Sequence, residues 1–174
     1  MSFRFKEAFH TTQSALDAEP GQALATFSAQ SRLGDGVNSQ VAVRQFSVGV
    51  DEPPSLGGGD TAPNPVEYIL AALGSCQEIT YRLYADALGI PVNNVSVKLD
   101  GHIDLRGFFD VDKSVRPGYR NIVAEVAIDS PASEEQLLRL KQIVDSHCPV
   151  LDILQNQTPV ELTLRKVQVA EAAE

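Results

Sequence analysis

The strongest hydrophobic pattern in this chain covers residues 65–88, a stretch with no proline after its first position. Asn64 is a good helix N-cap, Pro65 suits the first position of a helix, and Gly89 is typical of a helix C-terminus. A surface helix carries its apolar residues as one stripe, whereas residues 66–76 are apolar nearly all round. The pattern therefore predicts a helix over residues 65–88 that lies buried at the centre of the fold.

Apolar and polar residues alternate on both sides of this helix with the period of two that is typical of strands. The predicted strands are residues 22–34, 37–50, 95–99, 122–128 and 160–164. Asp35-Gly36 suits a hairpin turn between the first two strands. The Pro-, Gly- and Asp-rich residues 51–65 are predicted to form a loop.

A second helix is predicted to begin at Ser133, because Gln136 three residues later completes a capping box. Pro149 ends this helix at or before Cys148. The resulting order is strands, helix, strands, helix and strand. This order favours an α+β fold over a doubly wound α/β fold.

The length of 174 residues, 43% of them hydrophobic, suits a single domain that spans the whole chain. Residues 1–20 are amphipathic and are expected to form an N-terminal helix or arm. Residues 168–174 are expected to be a frayed tail.

The charge of the chain excludes several partners. The 14 basic residues against 23 acidic ones leave a net charge of −9, and no cluster of Lys and Arg occurs. Binding to nucleic acid and docking to anionic membranes are therefore disfavoured. The sequence has neither a long apolar span nor the pattern of a signal peptide, so we expect a cytoplasmic protein whose thiols are reduced.

Two cysteines, Cys76 and Cys148, are the candidates for chemistry, and 72 residues separate them. Either cysteine alone is more often a small buried hydrophobe than a reactive group. A zinc site that adds His147 is disfavoured, because structural zinc uses four ligands with close-spaced pairs. A cysteine-protease arrangement is also disfavoured, because a buried mid-helix cysteine is a poor acyl acceptor. We expect no bound metal or cofactor.

The segments around both cysteines resemble known motifs. Asn64-Pro-Val-Glu-Tyr-Ile-Leu-Ala-Ala-Leu-Gly-Ser-Cys76 is similar to the central-helix motif of the OsmC/Ohr family, the osmotically inducible and organic-hydroperoxide-resistance proteins. His147-Cys148-Pro149-Val150 resembles the second motif of that family, and Leu56-Gly57-Gly58 also fits. The resemblance spans about residues 24–167. It implies an OsmC-like fold, with antiparallel sheets wrapped around a buried central helix, and an intertwined homodimer whose active sites lie at the subunit interface.

The resemblance also implies a function, the thiol-dependent reduction of organic hydroperoxides in oxidative-stress defence. In this interpretation Cys76 is the peroxidatic cysteine and Cys148 is the resolving cysteine. The apolar residues around Cys76 favour organic hydroperoxides over hydrogen peroxide. An external dithiol, such as a dihydrolipoyl group, is expected to regenerate the thiols. The alternative is a non-catalytic small-molecule-binding or stress protein on the same fold.

Members of the family lower the thiol pKa with an arginine that an acidic residue holds. Val66 stands where the best-known branch has its acidic residue, and Glu67 follows one position later. Glu67 is therefore the candidate, although it is nine residues from Cys76 and so on the opposite face of the helix. A first-turn glutamate that the helix dipole favours is an equal explanation for Glu67.

The candidate cation is Arg44, which is expected to lie in a strand and to share a face with Ala42 and Phe46. Arg32, just before the predicted turn, is expected to be solvated. The alternative for Arg44 is a strand arginine whose stem packs on the sheet while its charge reaches water.

Overall fold

The computed structural model describes residues 3–166 and has an α+β architecture, as the order of predicted elements indicated. Its helices are α1 (Lys6–Ala18), α2 (Pro65–Leu88), α3 (Leu105–Phe108), α4 (Glu134–His147) and α5 (Pro149–Gln155). Its strands are β1 (Gln30–Leu33), β2 (Ser39–Val43), β3 (Phe46–Val50), β4 (Asn94–Ile103) and β5 (Tyr119–Asp129). The strands form two antiparallel sheets, β1-β2-β3 and β4-β5. None of the helices within residues 3–166 is long and apolar enough to cross a membrane. The tail expected at 168–174 lies outside the described residues.

The long helix α2 begins and ends where the sequence predicts. The side chain of Asn64 accepts a hydrogen bond from the Glu67 amide at 2.9 Å, and the Glu67 carboxylate accepts one from the Asn64 amide at 2.8 Å. Gly89 closes the helix in the left-handed conformation, with a φ of 68°, which glycine adopts without steric cost. These two caps satisfy backbone groups that a helix otherwise leaves without partners.

The β4-β5 hairpin and α4 pack against α2 and form the core. The buried residues of this core are Tyr81, Ala85, Ile90, Val92, Leu140 and Val144. Gly74 allows α2 to approach the sheet, because a Cβ at this position would come within 2.9 Å of the Leu99 side chain. The core therefore depends on a small residue in α2 and on the apolar face of α4.

The capping box predicted for the second helix is confirmed, since the side chain of Ser133 accepts from the Gln136 amide and Gln136 bonds back to the Ser133 amide. The helix ends at Cys148, as Pro149 predicts. A short further helix, α5, follows at once and is not among the elements predicted from the sequence. Its signal is Pro149 itself, which occupies the first position of α5.

The predicted strand boundaries are wrong in three places. Residues 24–27 and 160–164 form no strand within the described part of the chain, and residues 37–50 form two strands instead of one. Leu162 is 93% exposed and Leu164 is 98% exposed. Alternating apolar residues make a strand only when a sheet edge is available for pairing. Within residues 3–166 neither segment pairs with such an edge.

The β1-β2-β3 sheet makes little contact with α2 and is tied to it by the Tyr68 hydroxyl, which donates to the Gly49 carbonyl at 2.7 Å. Of the two sheets, β4-β5 is the one that packs on α2. The expectation of antiparallel sheets wrapped around a buried helix is therefore met only in part. Within residues 3–166 one sheet packs on α2, and the segment 66–76, predicted to be buried nearly all round, leaves Ile69, Ala71 and Ala72 exposed. One face of α2 stays open, and Ile79 on it is 60% exposed.

A buried carboxylate organises the loop that leads into α2. Asp51 accepts hydrogen bonds from the amides of Glu52, Gly59 and Thr61 at 2.9–3.1 Å and from the Thr61 hydroxyl at 2.7 Å. The Thr61 hydroxyl makes the largest contribution to lowering the pKa of Asp51 below its usual value. The charged form of Asp51 thus holds the two ends of the loop together.

We predict that Asp51→Asn lowers the thermal unfolding midpoint at neutral pH, because the amide offers one acceptor oxygen in place of two. A depressed folded pKa stabilises the protein above the unfolded value of about 3.9, and this stabilisation is lost as pH falls through the folded pKa. The gap in midpoint between wild type and Asp51→Asn should therefore narrow below about pH 4. Asp60→Asn, in the same loop, is the control and should leave the midpoint nearly unchanged. If the midpoints of wild type and Asp51→Asn differed equally at neutral pH and below about pH 4, this role for Asp51 would be contradicted.

Candidate active site

The structure brings the two cysteines together. The Cys148 and Cys76 sulfurs lie 3.3 Å apart, with Cys148 1% exposed and Cys76 half-buried. A disulfide needs sulfurs about 2.05 Å apart, so an approach of about 1.3 Å would close the bond. The fold thus brings two cysteines that are 72 residues apart within reach of a disulfide.

Helix geometry holds each sulfur. Cys76 lies in the middle of α2, and Cys148 is the single residue between α4 and α5. The Cys148 amide donates to the Val144 carbonyl at 2.9 Å, and its own carbonyl accepts from the Asp152 amide at 3.0 Å. The backbone of Cys148 is thereby fixed from both sides, and α4 carries it onto α2.

The two thiols have different environments. Burial raises the pKa of Cys148, the amides of Leu151 and Val150 partly offset this, and the neighbouring Cys76 sulfur raises the pKa further. Cys148 therefore keeps its proton and donates it toward the Cys76 sulfur. Cys76 is the more exposed sulfur of the pair, which makes it the one that a peroxide from solution can meet.

Glu67 lies at the start of α2 and is engaged in the helix cap with Asn64. The ring of Tyr119 is its neighbour, and burial followed by the negative charge of Glu67 raises the pKa of Tyr119. The Thr80 hydroxyl donates to the Cys76 carbonyl at 2.7 Å, which is ordinary back-bonding within a helix. The structure thus gives Glu67 and Thr80 helix-stabilising contacts.

Arg44 does not lie in a strand. It occupies the tight turn between β2 and β3 with a φ of 54°, and its exposed guanidinium lies 5.2 Å from the centre of the Phe46 ring. The expectation that it shares a strand face with Ala42 is wrong, because the chain reverses direction at Arg44. Within residues 3–166 of one chain, Arg44 forms no salt bridge.

A cavity with a volume of about 230 Å³ includes Gln77, the residue after Cys76, and Leu151, three residues after Cys148, but neither cysteine lines it. Its walls come from α2, β5, α4 and α5, and the lining residues are Leu73, Gln77, Ala124, Val126, Lys141, Asp145, Leu151 and Gln155. Gln77 is 5% exposed and makes no side-chain hydrogen bond to another residue of 3–166, so its amide is available to a molecule in the cavity. Gln77 is not among the predicted site residues, because it begins a mixed polar segment, Gln77-Glu78, in which nothing marks one residue as buried.

The described residues offer no site for a metal ion, since no group of three or more His, Cys, Asp or Glu side chains within residues 3–166 could hold one. His147 is exposed, hydrogen-bonds the Ile143 carbonyl and stacks on Tyr84 with ring centres 5.0 Å apart.

Residues 57–163 match the family model of the OsmC-like proteins. Because this match covers more than half of the 174 residues, the chain belongs to the OsmC-like family, as the motifs around both cysteines indicated. No curated protein sequence matches the chain significantly.

Solved structures of this family share the fold of the chain. An OsmC-like protein from Mycoplasma pneumoniae superposes with a TM-score of 0.66 at 22% identity, over 75% of this chain and 88% of that one. An organic hydroperoxide resistance protein OsmC from Legionella pneumophila gives 0.59 at 18% identity, over 76% and 90%. An organic hydroperoxide resistance protein from Elizabethkingia anophelis, with thiocyanate bound, gives 0.56 at 20% identity, over 74% and 87%. At such identities the likeness shows the fold, and the chemistry must follow from the residues of this chain.

Proposed function

We propose that this protein reduces organic hydroperoxides with Cys76 as the peroxidatic cysteine and Cys148 as the resolving cysteine. The observation that carries the proposal is the 3.3 Å between the two sulfurs, which are far apart in sequence. At this separation, oxidation of one thiol by peroxide can be followed by a disulfide bond to the other thiol without a large movement of either helix.

The reaction balances with the two thiols and one external dithiol. The Cys76 thiolate attacks the O–O bond of ROOH, an S–O bond forms, and the departing alkoxide takes a proton to become ROH. The Cys148 sulfur then attacks the sulfenic acid of Cys76, and the S–S bond forms as hydroxide leaves and is protonated to water. A dithiol such as a dihydrolipoyl group reduces the disulfide by thiol–disulfide exchange and is itself oxidised to a disulfide.

The cavity that Gln77 and Leu151 line suits a small organic hydroperoxide. Leu73, Val126 and Leu151 offer apolar wall, and an alkyl group buried there gains about 25 cal/mol per Å². The amide of Gln77 can donate a hydrogen bond to a peroxide oxygen. Hydrogen peroxide would use the amide but would gain nothing from the apolar wall, so organic hydroperoxides are favoured.

The proposal includes a homodimer, because the single chain leaves apolar surface uncovered. Exposed apolar residues lie on α2, on the segment before β1 and on residues 160–164; they include Ile79, Leu24, Phe27, Leu162 and Leu164. The β1-β2-β3 sheet also packs on no helix or further sheet among residues 3–166. A second copy would cover these surfaces together, with an interface above the roughly 2,000 Å² typical of obligate dimers.

The dimer also supplies a role for Arg44. Its turn belongs to the sheet that lacks a partner, so the proposal places this guanidinium at the cysteine pair of the second chain. A positive charge there stabilises the Cys76 thiolate and promotes its attack on peroxide. Glu67 is nine residues from Cys76, on the opposite face of α2, and bonds the Asn64 amide, so the role proposed for it is to cap the helix.

Titration with peroxide tests the roles of the cysteines. One equivalent of cumene hydroperoxide per reduced chain should consume both free thiols of the wild type, because sulfenic acid condenses to a disulfide. Cys148→Ser should lose one thiol and stop at the sulfenic acid, whereas Cys76→Ser should keep its remaining thiol. Free thiols are counted with a chromogenic disulfide reagent, before and after peroxide. A wild type that keeps both thiols would favour the non-catalytic binding or stress protein.

Removal of the Arg44 charge should slow the reaction. In Arg44→Met, which keeps much of the stem, we expect peroxide consumption to fall at least tenfold, or about 1.4 kcal/mol of barrier. The thiolate absorbance of Cys76 should then titrate at higher pH. Arg32→Met, on the exposed strand β1, is the matched control and should behave as wild type. An unchanged Cys76 titration in Arg44→Met would assign the activating charge elsewhere.

Light scattering tests the dimer. We expect twice the 18.8 kDa of one chain, independent of dilution, because a second copy would bury the exposed apolar residues of α2, of the segment before β1 and of residues 160–164. Ile79→Glu places a charge on the open face of α2 and should shift the mass toward the monomer. A concentration-independent mass of 18.8 kDa for the wild type would rule out the dimer and, with it, the proposed position of Arg44.

A further inference from the structure

A second cavity, away from the cysteines, lies where the segment after β4 meets the start of β5. Its volume is about 350 Å³, and its charged lining residues are Asp104, Arg106, Arg116 and Arg120. Three of the 14 basic residues of a chain with a net charge of −9 therefore converge on one cavity. Asp112 also bonds Arg106, so three positive charges against two negative charges leave a local surplus of one.

One of these arginines, Arg106, is bonded to two carboxylates although its side chain is 56% exposed. The Arg106 guanidinium donates to the Asp104 carboxylate at 2.6, 3.0 and 3.3 Å and to Asp112 at 3.4 Å. Asp112 is itself held by the amide and hydroxyl of Ser114 at 3.0 and 2.7 Å. The hydrogen bonds from Arg106 are the main cause that lowers the pKa of Asp104 to about 2, so this carboxylate stays charged.

The backbone around the cavity is closely packed. A Cβ at Gly107 would come within 2.6 Å of the Arg116 carbonyl oxygen, so glycine is needed for the two sides of the segment to meet. The Tyr119 ring packs on Gly101, and its hydroxyl donates to the Val66 carbonyl at 2.8 Å. The cavity is thus attached to the first turn of α2 and keeps its shape.

The charges of the remaining two arginines, Arg116 and Arg120, are not paired with a carboxylate of residues 3–166. Within residues 3–166, Arg116 and Arg120 form no salt bridge, and the side chain of neither donates a hydrogen bond to a described residue. The nearby Asp104 is already bonded to Arg106. Guanidinium groups that converge in this way match the planar, bidentate geometry of carboxylate and phosphate oxygens.

We propose that this cavity binds a small oxyanion, a carboxylate or a phosphate group, between Arg116 and Arg120 with Arg106 behind it. The site is separate from the cysteine pair and does not depend on peroxide chemistry. The bound oxyanion neutralises the positive charge of the arginines that Asp104 and Asp112 do not balance.

Calorimetric titration of the reduced wild-type protein at low ionic strength tests this site, because salt screens exposed charges. Inorganic phosphate and acetate serve as separate probes that distinguish a phosphate ligand from a carboxylate ligand. We expect saturable binding of at least one probe, with one site per chain. Arg116→Gln and Arg120→Gln should each weaken that binding at least tenfold. Arg139→Gln removes an arginine of α4 that lies near Glu135 instead and should bind as the wild type does.

A second readout guards against misfolded variants. The probe that binds should raise the thermal midpoint of the wild type, and the two cavity variants should unfold at the wild-type midpoint without it. Their midpoints should then rise less when the probe is added. The proposal would be overturned if neither probe bound the wild type saturably. It would also be overturned if the wild type, Arg116→Gln and Arg120→Gln bound the probe equally well.

Discussion

The packing of α4 against α2 is the interaction on which the candidate site depends. Tyr81 of α2 and Leu140 and Val144 of α4 are fully buried against one another, and Cys148 follows Val144 by one helical turn. The face of α4 that makes this contact therefore also delivers the second sulfur to Cys76. A loss of packing at Leu140 or Val144 would separate the sulfurs as well as destabilise the core.

Burial does more than bring the sulfurs together, because it makes them unequal. Cys148 lies under the helix junction, where burial raises the pKa of its thiol, whereas Cys76 is partly exposed. The Tyr81 hydroxyl lies deeper still and has no hydrogen-bond partner among residues 3–166, and burial, assisted by Asp145, raises the pKa of Tyr81 to about 12. A neutral tyrosine at this position keeps the interior behind the sulfurs uncharged. The unequal thiols set the order of the proposed steps, with attack at the open sulfur and resolution by the buried one.

One face of α2 is packed against the rest of the chain, and another face is exposed to solvent. The β4-β5 sheet, α4 and α5 complete the core around one face of α2, while the β1-β2-β3 sheet and residues 160–164 leave apolar side chains in solvent. The two proposed sites divide in the same way. The arginine cavity is built within a single chain between β4 and β5, whereas the proposed activation of Cys76 by Arg44 needs a second copy.

Local signals in the sequence determined much of this protein. Asn64 with Glu67 and Ser133 with Gln136 define helix starts, Pro149 defines a helix end, and the motifs around both cysteines identify the family. Such signals act over three or four residues and can be read without the rest of the fold.

The tertiary structure decided what depends on contacts between distant segments. It set the 3.3 Å between sulfurs 72 residues apart, placed Arg44 in a turn, exposed the amide of Gln77 to a cavity and gathered three arginines on one wall. Residues 160–164 have the alternation of a strand, yet form none within the described chain. Period-two alternation shows which side chains can share a face, but pairing needs an edge that another segment must supply, and the position of that segment is a property of the whole fold.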